Sequence, residues 1–356
     1  TVLLTRSTKV DGAPTVPSRW LDRLEAVLAA SDLSLPPSRW MSWQRHLVEP
    51  EQVRPQPEPA PRPPVAKRPR ALSATTIEKW VRDPYSIYAQ YVLRLHPLDK
   101  IDEDPGARER GQKIHAAIDQ FLKGSIDPSA PDALDRLLRE GEKAFEELLA
   151  RPGIWAFWWP RFRRIAAWFV EHERERRGRA HLAASEVKGS LEIAAPAGAF
   201  TVRATADRID RLNGGGLVIV DYKTGSVPTG KEVETGFAPQ LPIEGLLATR
   251  GAFADVPAED VAQLVFWKLS GLREGGEESY PAATQEDAKS LIDALATGLT
   301  EYIAAFDQEA MPYRARPRPE FAPRYSDYEH LARVREWSVG PGEDEVIAFV
   351  APRGPR

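Results

Sequence analysis

The chain has 356 residues, and at about 150 residues per domain that length suggests two domains. Apolar residues make up 42%, enough to bury a core and to set wholesale disorder aside. Lys plus Arg total 48 against 52 for Asp plus Glu, so the formal net charge of −4 excludes a uniformly basic nucleic-acid coat and leaves a local basic groove open.

There is no cysteine, which excludes disulfides, thiolate zinc sites, cysteine-held iron–sulfur clusters and a cysteine nucleophile. That composition fits a reducing, cytoplasmic setting. No uninterrupted apolar stretch of about 18 residues exists, so no membrane-spanning helix and no membrane partner are expected. The opening TVLLTRSTKVDG is too short and too quickly charged for a signal peptide. The chain starts with Thr1 rather than Met, and it is expected to be the C-terminal part of a longer polypeptide.

In chain order, a helix is expected from Ser18 to about Ala30, capped by Ser18 and carrying Leu21, Leu24, Val27 and Leu28 at helical spacing. This piece, residues 1–49, is too small to bury a good core alone. Residues 50–72 are dense in proline and read as an extended, semi-rigid linker. Order resumes in a third segment, 73–356, where Ser73 or Thr75 caps a helix burying Ile77, Trp80 and Val81. Helices follow over Ala107–Lys123, Leu134–Leu149 and Trp155–Arg177. The period then changes to two, giving strands over Ser185–Ile193, Phe200–Arg211 and Leu217–Lys223, the last two joined by a turn at residues 213–216. A helix near Gln240–Ala248, a strand Val261–Leu269 and a long amphipathic helix ending near Phe306 complete an α/β pattern, and no internal repeat interrupts it.

The chemistry concentrates in ATADRIDRLNGGGLVIVDYKTG. Residues two apart on a strand share a face, so Asp221 and Lys223 point together and Tyr222 points away. Asp207, on the preceding strand, can approach the same place. Two carboxylates and a lysine at a strand end suit a divalent metal with a phosphate: Mg²⁺ takes oxygen ligands and lowers the pKa of bound water, and the ammonium can orient that water or stabilise charge. An ordinary exposed cross-strand ion pair has the same spacing, so both readings stay open on spacing alone.

Four segments in order resemble the RecB-type branch of the PD-(D/E)XK nuclease superfamily, and more closely the C-terminal region of AddB-type subunits of bacterial AddAB helicase–nucleases. RGQKIHAAIDQF is similar to the family's histidine motif and gives His115; ATADRID gives Asp207; IVDYKTG gives Asp221 and Lys223; APQLPIEGLL is similar to the glutamine motif and gives Gln240. LVFWKLSG resembles the strand that usually follows, and LTRSTKVDGAPTVPSRWLDRL resembles the end of a helicase-like part. The resemblance implies a restriction-endonuclease-like mixed sheet flanked by helices. It implies Mg²⁺ (or Mn²⁺) held by His115, Asp207 and Asp221, with Lys223 activating water or stabilising charge and Gln240 positioning substrate. The implied activity is exonucleolytic hydrolysis of DNA in double-strand break repair and recombination, on a single strand emerging from unwound duplex, beside an AddA-like helicase–nuclease partner. Residues 1–49 would then be the remnant of a helicase-like domain. A nuclease-dead DNA-binding scaffold and a stand-alone CRISPR-type exonuclease are the alternatives.

The pattern departs from the family at Glu244, which stands where a tyrosine often follows the glutamine, and Glu244 and Glu186 are possible further members of the site. Glu192 competes with Glu186 in sequence, and Asp119 shares a helical face with His115 at i+4. The stretch from Gly225 to Lys231 fits GxxxxGK but continues with Glu232, which would repel phosphate, so no nucleotide site is expected and Lys231 reads as a DNA-backbone contact. Trp155, Trp158, Trp159 and Trp168 are expected to pack, while some of Arg161, Arg163, Arg164, Arg174, Arg176 and Arg177 face DNA, with Arg161 and Arg164 preferred. The basic tail PYRARPRPEFAPRY is a second patch. Many relatives pin the domain's ends with a four-cysteine cluster; without cysteine, packing of Trp80, Tyr85 and Tyr88 against Tyr325, Tyr328 and Trp337 is expected to replace it.

Overall fold

A computed structural model describes residues 4–10, 12–34, 39–49, 57–98, 104–124, 127–147, 151–323 and 325–338. The chain divides into two compact units, Thr1–Pro55 and Gln56–Arg356.

The first unit holds a minimal hairpin, β1 (Lys9–Val10) with β2 (Ala13–Pro14), and two helices, α1 (Arg19–Ala30) and α2 (Arg39–Val48). Ser18 caps α1 as expected, its hydroxyl accepting from the Trp20 amide. No residue of α1 is buried, and Trp20, Trp40 and Trp43 are exposed, in keeping with a segment too short to close a core.

The second unit is a mixed sheet with helices on both faces. Its elements are β3 (Ala71–Ser73), α3 (Ala74–Arg82), α4 (Pro84–Ile87), α5 (Ala107–Lys123), α6 (Ala133–Ala144), α7 (Pro152–Arg177), β4 (Ala180–Ile193), β5 (Phe200–Leu212), β6 (Leu217–Lys223), α8 (Gly230–Glu234), α9 (Gln240–Thr249), β7 (Val261–Lys268), β8 (Glu277–Ala282), α10 (Gln285–Phe306) and α11 (Val334–Trp337). The expected α/β architecture is observed. Sequence reading missed β3, which is three residues long, and β8, whose Glu277–Ala282 run is mostly polar and contains Pro281. The helix expected to reach Leu149 ends at Ala144.

Strand β5 organises the sheet. It pairs with β4 along one edge in a long antiparallel hairpin. On its other edge it pairs in parallel with β3 through Thr201–Arg203, then antiparallel with β6 through Arg208–Arg211. The intervening residues 204–207 have no strand partner on that edge among the described residues. Strand β6 continues in parallel to β7, and β7 antiparallel to β8. One face carries α3, α9 and α10 over Leu217 and Ile219; the other carries α5, α6 and α7 over Val218, Val220 and Tyr222. Strand alternation therefore turns Asp221 and Lys223 toward α9 and Tyr222 toward α5 and α7.

Not all of residues 50–72 is a free linker. Residues 57–70 lie along the end of α10: the Tyr313 amide donates to the Pro61 carbonyl, and Arg62 Nε to the Ala310 carbonyl. Buried Arg68 donates to the carbonyls of Pro63, Phe306, Gln308 and Glu309. Proline removes donors from the extended segment, and one guanidinium supplies them, satisfying carbonyls left open at a helix C-terminus. The cysteine-free staple is observed in part. Tyr85, Tyr88, Tyr328 and Trp337 share a small core, whereas Trp80 packs instead with Phe200, Tyr302 and Phe306, and Tyr325 is exposed.

Under the α7 face lies a buried ionic cluster. Arg208 donates to Asp210 (2.7 Å) and to Glu173 (3.2 Å), and Arg176 to Asp210 (2.8 Å), with both guanidinium groups over the Trp267 ring. Arg176 is thus structural rather than DNA-facing. Replacing Arg208 with alanine strands buried Glu173 and leaves Asp210 to Arg176 alone, so Arg208→Ala is expected to cost about 3–5 kcal/mol in chemical denaturation. A loss within about 0.5 kcal/mol, the range of surface substitutions, would refute this account of the cluster.

Candidate active site

The site forms where the β4–β5 hairpin breaks. Its register places Ser185 opposite Arg208 and Val187 opposite Ala206, which leaves Glu186 and Asp207 facing each other on an unpaired rung. Like charges directly opposite on a hairpin repel. Glu186 adopts φ +46°, a conformation that a side chain other than glycine rarely takes and that costs about 1–3 kcal/mol. Alternation also slips here: Ala206 and Ile209 both enter the α9-side core, so Asp207 sits at the irregularity. Its Oδ2 accepts from the Tyr222 amide at 2.7 Å, satisfying the β6 backbone just beyond the last β5–β6 rung.

Helix α5 brings His115 over this break, with Nδ1 3.3 Å from Asp207 Oδ1 and 4.0 Å from Glu186 Oε1. The Tyr222 ring, projected away from Lys223, meets the imidazole edge-on at 5.6 Å between centroids. Ligand atoms of His115, Glu186 and Asp207 all lie within 4.8 Å of one another. Burial opposes protonation of His115, but Asp207, Asp221 and Glu186 outweigh it and raise the pKa. Burial, with Asp207 close by, raises that of Glu186.

A second group adjoins the first. Asp221 is almost fully buried, and Lys223 Nζ donates to its Oδ1 at 3.1 Å and to Gln240 Oε1 at 3.0 Å. Gln240 Nε2 donates to Asp221 Oδ1 at 2.6 Å and to Glu244 Oε1 at 3.2 Å. Gln240 opens α9 and Glu244 follows one turn later, so both side chains come down the same helical face. Burial pushes the Asp221 carboxyl up to about 6 against the pull of Lys223. Burial, with Asp221 and Asp207 nearby, lifts Glu244 well above the carboxylate range. Burial works against the Lys223 ammonium, yet Asp221 holds its pKa above the ordinary value.

Of the expected residues, His115, Asp207, Asp221, Lys223 and Gln240 come together, and Glu186 and Glu244 join them. The register decides between Glu186 and Glu192, because Glu192 faces Thr201 far along the hairpin. The tight three-ligand group is His115, Glu186 and Asp207, and Asp221, the remaining expected ligand, adjoins it while held by Lys223 and Gln240. Asp119 turns from His115 to Ser185 and Lys123. Arg161 lies beside Arg110, whose pKa burial and that neighbour lower; Arg164 Nε is occupied by the Gly271 carbonyl; Lys231 is exposed on α8. Arg174 and Arg177 pair with Glu171 and Asp127. The GxxxxGK loop closes as a capping box, with Glu232 accepting from the Thr229 amide, so the donors a phosphate would need are taken. The four tryptophans pack partly buried beside the α7-side core, as expected.

The carboxylate oxygens of Glu186 and Asp207 suit a hard divalent cation such as Mg²⁺, and the His115 imidazole nitrogen adds a donor that Mn²⁺ accepts more readily. Two further observations fit one. Asp221 Oδ2, 2.9 Å from Lys223 Nζ, accepts no hydrogen bond, and Glu244 Oε2 is likewise buried without a partner. Buried polar atoms left unmatched are costly, and a cation facing the Asp221 oxygen would remove that cost.

The burial of Glu244 has a consequence for stability. Its folded-state pKa exceeds the unfolded value of 4.5, so its contribution is fully present below that value and is lost as pH rises. Glutamine does not titrate. Glu244→Gln should therefore raise the melting temperature of metal-free protein more at pH 9 than at pH 5. An increment constant across that range would sink the assignment of burial as the cause.

A family model described as the PD-(D/E)XK nuclease superfamily matches residues 71–322. An uncharacterized protein of Rickettsia bellii is 31% identical over 185 residues, 52% of this chain and 22% of its own length. An uncharacterized protein of Rickettsia conorii is 30% identical over 189 residues, again 52% of this chain and 23% of its own length. The chain spans less than a quarter of the length of these curated relatives. The crystal structure of SSO0001 is similar at 14% identity and a TM-score of 0.25, covering 63% of this chain and 76% of that one, a likeness that carries no argument.

Proposed function

The chain belongs to the PD-(D/E)XK nuclease superfamily, and from that premise we propose that it is a Mg²⁺-dependent deoxyribonuclease of the RecB type. Nucleases of this superfamily generally use divalent metals. The carrying observation is the convergence of His115, Glu186 and Asp207 beside the Asp221–Lys223–Gln240 network. His115, Glu186, Asp207 and the unmatched oxygen of Asp221 would hold the cation. A bound divalent ion supplies a more acidic water and neutralises charge on the scissile phosphate. Lys223, kept charged by Asp221, serves as a cationic donor toward the reacting phosphate rather than as a base near neutral pH. Gln240 bridges Asp221 and Lys223 and fixes their relative orientation.

The wider role rests on the sequence resemblance, and the matched relatives are more than twice as long as this chain. It is exonucleolytic trimming of a DNA single strand in the cytoplasm, in double-strand break repair and recombination. The C-terminal AddB-like domain would work beside an AddA-like helicase partner, with residues 1–49 from a helicase-like part. Arg161, Arg164 and Lys231 are the proposed outer contacts to DNA.

Degradation of labelled single-stranded DNA with Mg²⁺ tests this reading. Wild type should cleave, EDTA should stop it, and Asp221→Ala and Lys223→Ala should each lose roughly a hundredfold or more. At subsaturating Mg²⁺ activity should fall as pH drops, because proton and cation compete for the Asp221 carboxylate whose pKa burial raises, and added Mg²⁺ should restore it. Mutants as active as wild type would overturn the site; inactivity of every form, even with its helicase partner, would favour a DNA-binding scaffold.

A further inference from the structure

A cavity of about 730 Å³ lies beside the carboxylate cluster, lined by Ser73 and Thr75, by Lys188, Arg203 and Thr205 of the hairpin, and by Gln240 and Glu244. The cluster itself faces a cavity of about 640 Å³ lined by His115, Glu186 and Asp207. The two share Lys188 and Thr205, so they adjoin at the hairpin just outside Asp207. None of Ser73, Thr75, Lys188, Arg203 or Thr205 has a role in the proposed chemistry.

The hairpin register makes this a graded track. On β5, Arg203, Thr205 and Asp207 follow at intervals of two, each step about 6.7 Å along the strand. Lys188 lies directly opposite Thr205, and Ser190 directly opposite Arg203. Thus the carboxylate pair of Glu186 and Asp207 is followed outward by a Lys–Thr rung and an Arg–Ser rung. The ammonium of Lys188 and the guanidinium of Arg203 are exposed and make no ion pair or side-chain hydrogen bond among the described residues. This sets them apart from Arg174, Arg176, Arg177 and Arg208, whose charges are matched within the protein. The cavity also meets the first turn of α3, capped by Ser73, whose positive end favours an anion. On its inner wall Glu244 Oε2, on a side chain 1% exposed, is left without a partner and offers a hydrogen-bonding group to a bound base or sugar.

We infer that this cavity is the binding site for the nucleotide flanking the scissile phosphate, with the adjacent phosphodiester held by Arg203 and Lys188. An extended single strand presents an anion at each nucleotide and polar base or sugar groups between them, which matches cations on the outer rungs and a lone polar group on the inner wall. The inference rests on the nuclease reading and assigns it a strand path: from the carboxylate cluster over the Lys188–Thr205 rung to Arg203.

The test uses the full chain. Binding of a fluorescent single-stranded DNA oligonucleotide is followed by anisotropy across a salt series in EDTA, and cleavage with Mg²⁺ is measured on the same strand. Arg203→Ala and Lys188→Ala should each weaken binding about tenfold and reduce the slope of log affinity against log salt by about one, with the loss expressed in KM. Lys289→Ala, a surface charge on α10 paired with Asp293, should do neither. If wild type cleaves and both hairpin variants bind and cleave like wild type, this inference falls while the nuclease reading stands. If wild type neither binds nor cleaves single strands, both fall.

Discussion

Glu186 and Asp207 face each other across one rung of a hairpin, and the repulsion between those carboxylates is the constraint on which the site depends. Neighbouring rungs pair normally, so the distortion is confined: Glu186 takes a left-handed backbone conformation, and the β5 alternation slips at Asp207. The same slip lets Asp207 accept from the Tyr222 amide, which ties the break to the end of β6. Strain of this kind persists only where the surroundings over-determine it. Here they do, through the long β4–β5 ladder, the β6 end and the His115 imidazole.

The two faces of the sheet handle charge in opposite ways. Toward α7, Arg208, Arg176, Glu173 and Asp210 neutralise one another in the interior, with Arg176 Nε alone of their polar atoms left without a hydrogen bond. Toward α9, Asp221 and Glu244 share one lysine and one glutamine; Asp221 Oδ2 faces only the Lys223 ammonium, and Glu244 Oε2 has no partner. The first arrangement is structural because every charge has its counterpart. The second is a poor way to stabilise a fold and a good way to receive a cation. That contrast, more than the number of acidic groups, separates the two clusters.

The Pro-rich segment and the aromatic staple show how the ends of the domain are held without cysteine. Arg68 gathers four carbonyls, and Tyr85, Tyr88, Tyr328 and Trp337 form a separate small core. Gln240 turns inward: it spends its donors on Asp221 and Glu244, which gives Glu244 a place in the network.

Much of this was legible in the sequence, because periodicity is a local property. The run Leu217–Lys223 was recoverable to the residue, and the two-residue spacing put Asp221 and Lys223 on one face and Tyr222 on the other before any packing was known. Four motifs in order were enough to indicate the family. The choice of Glu186 over Glu192 was not legible, since it depends on which residue the register sets opposite Asp207. Nor was the fate of the arginines: Arg176 and Arg161 look alike in sequence, and only the fold buries one against Asp210 and leaves the other beside Arg110. The short strands β3 and β8 exist because neighbours pair with them, not because their residues prefer to be strands. Local spacing and side-chain chemistry set the types of the longer elements and the residue kinds of the site. Tertiary structure alone decided which carboxylates meet and which charges stay unmatched, because those depend on strand register and burial between residues far apart in the chain.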